Sequence, residues 1–192
     1  MGSKMNRSRD IRVVRTQTAL LNAMEELLKT KKLSSITITE LCSAACINRN
    51  TFYYHFNNII EFLEDNKNMV IEELNKIPNV SETHNKQSLI EILKVIKCHP
   101  AFMNVLISPN CDLDIFNDIF NTASEKARVS IDNPSGITAT RDLIICNYCN
   151  AGSNAVICSW IMNGMKEPPE EIADIISAVS RKGAITLLFP DE

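Results

Sequence analysis

The stretch from Thr37 to Phe56, "TITELCSAACINRNTFYYHF", leaves a chain little choice of local fold. Thr37 and Glu40 stand three apart, the spacing of a capping box, in which the hydroxyl accepts a backbone N–H and the carboxylate reaches back to the cap. The helix they open turns Leu41, Ala44 and Ala45 inward and is about two turns long, too short to persist alone in water. Neighbours must clamp it, and the small residues Ala44, Ala45 and Cys46 let another helix approach closely. Asn48 is a good N-cap for that next helix, with apolar Ile47 tucked under the turn. Residues 37–56 therefore read as helix, tight turn at Ala45–Ile47, helix.

Four of the chain's eleven aromatic residues fall between Phe52 and Phe56. Phe52 and Phe56, four apart, share the inner face of a helix. Tyr53 and Tyr54 are left mostly outward with Arg49 and Asn50, and their hydroxyls need polar partners. Helix–turn–helix geometry places the second helix in a major groove with its N-terminal residues, from the cap Asn48 onward, at the base edges. There Arg49 can fork to guanine O6 and N7, and Asn50 can pair with adenine N6 and N7. Thr51 can meet a phosphate or a thymine methyl, while Tyr53, Tyr54 and His55 can bond phosphate oxygens. Thr37, opening the first motif helix, offers a hydroxyl and backbone N–H groups to another phosphate. The plainer alternative is an amphipathic helix with a wet aromatic face, because the same shape occurs in proteins that never touch DNA.

Charge is distributed to match a polyanion at that end. Residues 1–60 hold nine Lys/Arg against four Asp/Glu, a balance of +5, and residues 61–192 hold eleven against nineteen, −8, which together give the net −3. A basic head on an acidic body is a polarised field. Arg7, Arg9, Arg12 and Arg15 supply nearly half of the head's positive charge, so chance clustering in a mobile tail is the competing account.

Beyond the motif, five glycines, seven prolines and long apolar-periodic segments without strict alternation predict an all-α chain of about nine helices. Residues 15–30 put Leu20, Ala23, Met24, Leu27 and Leu28 on one stripe. A long helix is expected over 59–77, ending near Pro78, followed by a polar loop. Residues 88–98 form a helix, His99-Pro100 a break, 102–107 a short apolar piece and "SPNCD" a loop. Helices follow over about 113–131, 138–165 and 169–189, separated by turn signals at 132–136 and "KEPPEE". The last two are apolar over more of their circumference than one buried face requires. Two such helices from each subunit would form a four-helix bundle across a two-fold axis; a monomer with both helices central is the alternative. Phe102, Met103, Leu106, Phe116, Phe120, Tyr148 and Trp160 can line a cavity for a small apolar effector, or can simply pack the core.

Other chemistry finds no footing. There are three histidines and no Gly-rich phosphate loop, GxSxG or HExxH, so no enzyme activity and no cofactor are expected. No apolar run approaches the ~18 residues of a membrane span. Seven cysteines, an odd number, without a signal peptide read as reduced thiols in the cytoplasm. Cys146 and Cys149 lie three apart in an expected helix. As a pair they fall short of the three or four ligands of a metal site, so none is assigned, and small apolar residues is the commoner role.

The run "TITELCSAACINRNTFYYHFNNIIEFL" resembles the N-terminal domain of the tetracycline-repressor (TetR) family of transcriptional regulators. Thr37, Ile38, Leu41, Ala45, Ile47, Thr51, Phe52, Tyr53, His55 and Phe56 carry the likeness. "RTQTALLNAMEELL" resembles the family's first helix, so the match spans residues 12–65. "SWIMNGMKEPPEEIADII" is similar to the Trp-x-x-Asn-Gly C-terminal domain of one Gram-positive branch. The resemblance implies a flexible basic tail over 1–11, a three-helix DNA-binding domain over 12–60, and an effector-binding and dimerisation domain over 61–192. It implies a homodimer on a palindromic double-stranded operator, acting as a ligand-responsive repressor. Two departures stand out. Cys46 replaces the family's usual turn glycine, which predicts a slightly altered turn. Ile59 stands where a phosphate-binding lysine is usual, leaving Asn57 and Asn58 as neutral substitutes and predicting weaker binding with a flatter salt dependence. These departures motivate a rival reading, an adaptor working through a protein partner; the cysteines motivate another, an intracellular thiol or metal sensor.

Overall fold

The computed structural model describes residues 11–78, 85–111, 113–127 and 139–182. Among them are nine α-helices: α1 (Ile11–Leu28), α2 (Ile38–Ala44), α3 (Arg49–His55), α4 (Ile59–Asn75), α5 (Asn85–Cys98), α6 (Pro100–Ile107), α7 (Ile115–Ala127), α8 (Ala139–Met162) and α9 (Pro169–Lys182). A 3₁₀ turn, Leu33–Ser35, lies between α1 and α2. No strand occurs among the described residues, so the fold is all-α. The expected basic tail over 1–11 falls almost wholly outside the described residues. So do the turn cluster at 132–136 and the C-terminal part of the last helix, with Ala184, Leu187 and Leu188.

The head is built on the stripe of α1, where Leu20, Met24 and Leu28 are fully buried and Ala23 nearly so. Helix α2 packs on α1, and α3 packs on α2. Behind α3 an aromatic cluster closes the head: Phe52 and Phe56 centroids lie 5.7 Å apart, Phe52 and Phe62 6.3 Å, Phe56 and Phe62 5.1 Å. Such pairs add roughly 0.5–1.5 kcal/mol each beyond area burial. Phe62 sits on α4, which runs unbroken through the expected domain boundary at residue 60. Its first turns belong to the head and its later residues, Val70 and Leu74, to the body core. Gln17 Nε2 donates to Asp65 Oδ2 (3.1 Å), tying α1 to α4.

In the body, α4 packs against α5 and α7, α5 against α9, and α8 against both α6 and α9. The His99-Pro100 break is the start of α6, with Pro100 in the first turn where its missing N–H costs nothing. Trp160 is buried, and its indole N–H donates to the Glu167 carbonyl (3.2 Å). Lys97 Nζ donates to the same carbonyl (3.1 Å) and lies 5.7 Å from the indole centroid. The Trp-x-x-Asn-Gly segment thus anchors the α8–α9 connection to α5. Head and body also meet directly, because α1 packs along α6.

Candidate nucleic-acid interface

The short helices of the motif are held at their ends by bonds readable in the sequence. Glu40 N–H donates to Thr37 Oγ1 (3.2 Å), while Thr37 N–H donates to Glu40 Oε2 (3.2 Å), completing the capping box. Asn48 Oδ1 accepts the Asn50 N–H (2.8 Å) as the cap of α3. Between them α2 ends in a Schellman motif: Cys46 N–H donates to Ser43 O (3.1 Å) and Ile47 N–H to Cys42 O (2.8 Å). Cys46 takes φ +54° there. The turn keeps its left-handed residue although a Cβ is present, at about 1–2 kcal/mol; the departure from glycine is absorbed as backbone strain.

This frame divides the residues of α3 cleanly. Phe52 and Phe56 face the core. Arg49, Asn50, Thr51, Tyr53, Tyr54 and His55 are exposed, as are Asn48 and Thr37. Tyr54 is 83% and Tyr53 48% exposed, extreme for rings that could have been buried. Arg49 lies over the Tyr53 ring, 5.9 Å from its centroid, and the Tyr54 and His55 rings meet edge to face at 4.9 Å. The result is an outward face bearing a guanidinium, two carboxamides, hydroxyls and an imidazole. Behind it, burial pushes the Cys42 thiol up, so that sulfur stays protonated and unreactive.

Two carboxylates lie at the starts of the helices flanking α3: Glu40 of the expected capping box, and Glu61, which the sequence reading passed over although it follows Asn58 at the same spacing as Glu40 follows Thr37. Thr37 Oγ1 also donates to Glu40 Oε2 (3.1 Å), so both Thr37 donors are committed within the chain. Lys31 pairs with Glu40 as well, and that contact, with the Thr37 bonds behind it, holds the Glu40 carboxyl below the usual range. At the start of α4, Asn58 Oδ1 accepts the Glu61 N–H (2.8 Å), and Asn57 donates both its backbone N–H and its Nδ2 to Glu61 Oε2 (2.8 Å each). Ile59 is buried and Ile60 partly exposed. Of the two neutral donors expected to stand in for a lysine, Asn57 is therefore engaged by Glu61, whereas Asn58 meets Glu61 only through its acceptor oxygen.

Of the residues nominated for an effector cavity, Phe102, Met103, Leu106 and Trp160 are buried together in the body core. Phe116 and Phe120 stack on α7 with centroids 6.4 Å apart, packed against that core. The structure does not bring Tyr148 together with them: it is 80% exposed on α8. An open groove of about 490 Å³ lies elsewhere, at the seam of head and body, lined by Leu33, Ile36, Ile38, Ile59, Ile60 and Leu113 with Ser34 and Asn58. Among the described residues no group of three or more His, Cys, Asp or Glu could hold a metal ion; the side chain of Cys146 lies outside the described residues. No described helix is long and apolar enough to cross a membrane.

On α8 and α9 the apolar residues split between two faces. Ile157, Ile161, Ile172, Ala173 and Ile176 are buried in the subunit's own core. Ile144 (64% exposed), Ala151, Ala155, Met162 (67%), Ile175 and Val179 face out, and form a second apolar surface.

Residues 83–182, more than half of the chain, match the TetR-type profile described as "Transcriptional regulator C-terminal region". Several solved structures align with the chain. One is titled "Dihydroxyacetone kinase operon activator DhaS", with TM-score 0.54 and 20% identity over 87% of this chain and 94% of that one. Another, a TetR transcriptional regulator from Rhodococcus sp. RHA1, has TM-score 0.37 and 13% identity over 86% of this chain and 97% of that one. No curated protein sequence matches at a significant level.

Proposed function

The chain belongs to the TetR family of transcriptional regulators, and on that premise we propose that it binds a palindromic double-stranded operator as a homodimer, with α3 of each subunit in a major groove. The observation that carries this reading is the outward face of α3, where Tyr53 and Tyr54 stand in solvent beside Arg49, Asn50 and Thr51 while Phe52 and Phe56 anchor the helix from behind. Arg49 and Asn50 read base edges, and the hydroxyls and His55 bond the backbone. One helix–turn–helix reads a half-site, so two copies are needed about 34 Å apart along the duplex. The outer surface of α8 and α9 supports the pairing, since Ile144, Met162, Ile175 and Val179 would be covered by the same surface of a second subunit.

Regulation in this reading is a population shift. A small apolar effector binds better to a conformation whose recognition helices are wrongly spaced, and operator occupancy falls. A dimer seated across a promoter represses; the DhaS structure bears an activator's title, and operator position decides the sign. The protein works in the cytoplasm, beside the DNA it binds.

Operator selection from genomic fragments tests the proposal. Wild type should enrich a palindrome, and Tyr53→Ala should bind it at least about tenfold more weakly, within the ~1–3 kcal/mol of a good contact. Failure to enrich any sequence would overturn it. The second reading, an adaptor with little DNA affinity of its own, draws on Glu40 and Glu61 holding donors beside α3 and on the buried Ile59. It predicts no retained sequence at any salt concentration.

A further inference from the structure

The loop between α6 and α7 has no part in the reading above, yet it carries a polar tie between body and head. Ser108 ends α6 and opens a turn in which Cys111 N–H donates to Ser108 O (2.9 Å). Pro109 stiffens the turn's second position, and Asn110 N–H donates to Ser108 Oγ (3.3 Å). Asn110 is thus held at the tip of a rigid turn. From there its carbonyl accepts the Leu33 N–H (2.9 Å), and its Nδ2 donates to the Leu28 carbonyl (2.8 Å).

Leu28 closes α1 and Leu33 opens the 3₁₀ turn, so these are end groups of the kind a helix leaves without an internal partner. One body residue satisfies both, on the only segment connecting α1 to α2 and α3. Elsewhere along the α1–α6 seam Asn104 Nδ2 donates to Glu25 Oε1 (3.0 Å), and α6 is mostly apolar, with Phe102, Met103, Val105 and Leu106 buried. Apolar contact is non-directional and tolerates sliding, whereas hydrogen bonds demand direction. Gln17–Asp65 ties α1 to α4 nearer the other end of α1. Asn110 therefore fixes the end of α1 from which α2 and α3 hang.

Resting on the operator reading, we propose that Asn110 is a positioning residue for DNA binding: by holding Leu28 and Leu33 it sets the pitch of the head against the body, and hence the half-site spacing a dimer accepts. It touches no DNA itself. Its removal should leave the face of α3 unchanged but loosen the geometry at which two such faces are presented.

The test uses the full-length dimer and operators selected by the wild type, rebuilt with the half-sites one base pair closer, unchanged or one base pair further apart. Wild-type affinity should fall about tenfold or more for either change, since one base pair both shifts and rotates a half-site. Asn110→Asp, which keeps the shape but puts an acceptor against the Leu28 carbonyl, should bind the three spacings within about threefold of one another. Ser108→Ala leaves both head contacts in place and frees only the Asn110 amide; it should give an intermediate profile and serves if Asn110→Asp does not fold. Faster hydrogen exchange at the Leu33 amide in either variant would accompany the flattening. A uniform loss of affinity at all spacings, or a profile as steep as the wild type's, would overturn the inference while leaving the operator reading intact. Absence of wild-type binding to any spaced palindrome would remove both.

Discussion

Among the described residues, large side chains stand in solvent singly at Val14 and Ile60 and in groups on the outer face of α3 and on α8 and α9, and the two groups differ in chemistry. On α3 the exposed rings carry hydroxyls and sit beside Arg49, Asn50 and Thr51. Every group there has a polar end that water satisfies in the free protein and phosphate or base edges can satisfy in a complex. On α8 and α9 the large hydrophobic side chains in solvent are chiefly aliphatic, Ile144, Met162, Ile175 and Val179 with Tyr148 among them, beside exposed polar residues such as Asn147, Asn150 and Asp174. Water has nothing to offer these beyond contact, and burial at roughly 25 cal/mol per Å² favours an apolar cover. The first surface is suited to a wet, charged partner and the second to a copy of itself.

The helix ends differ as well. Both α2 and α8 finish in Schellman motifs, the latter with Gly164 N–H on Ile161 O (2.9 Å) and Met165 N–H on Trp160 O (2.9 Å). The left-handed position is Gly164 (φ +78°) in the body and Cys46 (φ +54°) in the head. The body places glycine at that position but holds the next residue, Met165, at φ +50°, so each turn carries one side-chain-bearing residue in the left-handed region.

The largest test of the contrast is on neighbouring rings. Phe52→Ala should cost about 3–5 kcal/mol in denaturant unfolding, whereas Tyr54→Ala should change stability by less than about 0.5 kcal/mol. Next, Met162→Asp should weaken dimerisation by about 3 kcal/mol or more, at least a hundredfold, as read by sedimentation. An unchanged dimer would show that the α8–α9 face is not the interface. Arg49→Ala should then weaken operator binding by about 1–3 kcal/mol with no loss of melting temperature, and equal weakening on every sequence would assign it to phosphate rather than bases. Smaller still, Cys46→Gly should stabilise and Gly164→Ala destabilise by about 1–2 kcal/mol each, several degrees of opposite sign in thermal melts. No heavy atom lies within 4 Å of a Cβ added at Gly164, so its cost is purely backbone.

The smallest effect is a pH dependence. Lys31 first, then the Thr37 N–H and hydroxyl, holds the Glu40 carboxyl below the usual carboxylate range. A carboxyl whose folded-state value is depressed stabilises the fold above its unfolded value, and that contribution is lost as pH falls through the folded one. Glu40→Gln should therefore melt slightly below wild type at neutral pH and level with it in acid well below the carboxylate range. A difference that persists in acid would assign the effect to the altered side chain's geometry and not to charge.

Much of the head was legible in the sequence because its determinants lie three or four residues apart. The Thr37–Glu40 box, the Asn48 cap and the Phe52–Phe56 pair all appear as expected. The same rule, applied at Asn58–Glu61, would have found the Glu61 N–H on Asn58 Oδ1, but it points the Glu61 carboxylate at the Asn58 N–H and not at Asn57, which it engages in the structure. Excess apolarity on the last two helices was visible too, but not which residues face out. Tyr148 was grouped with buried aromatics because composition carries no orientation, and on α8 apolar residues occupy nearly every side.

The sequence by itself determined the all-α character, the two short motif helices and the residues on the outer face of α3, because capping and helical periodicity act within a turn or two of chain. Only the tertiary structure decided that Asn110 closes the end of α1 from 82 positions away, that Cys46 holds a left-handed turn, and which apolar residues of α8 and α9 face out. Those outcomes depend on which distant segments pack together, and a contact between them exists only once the whole core has fixed where each helix lies.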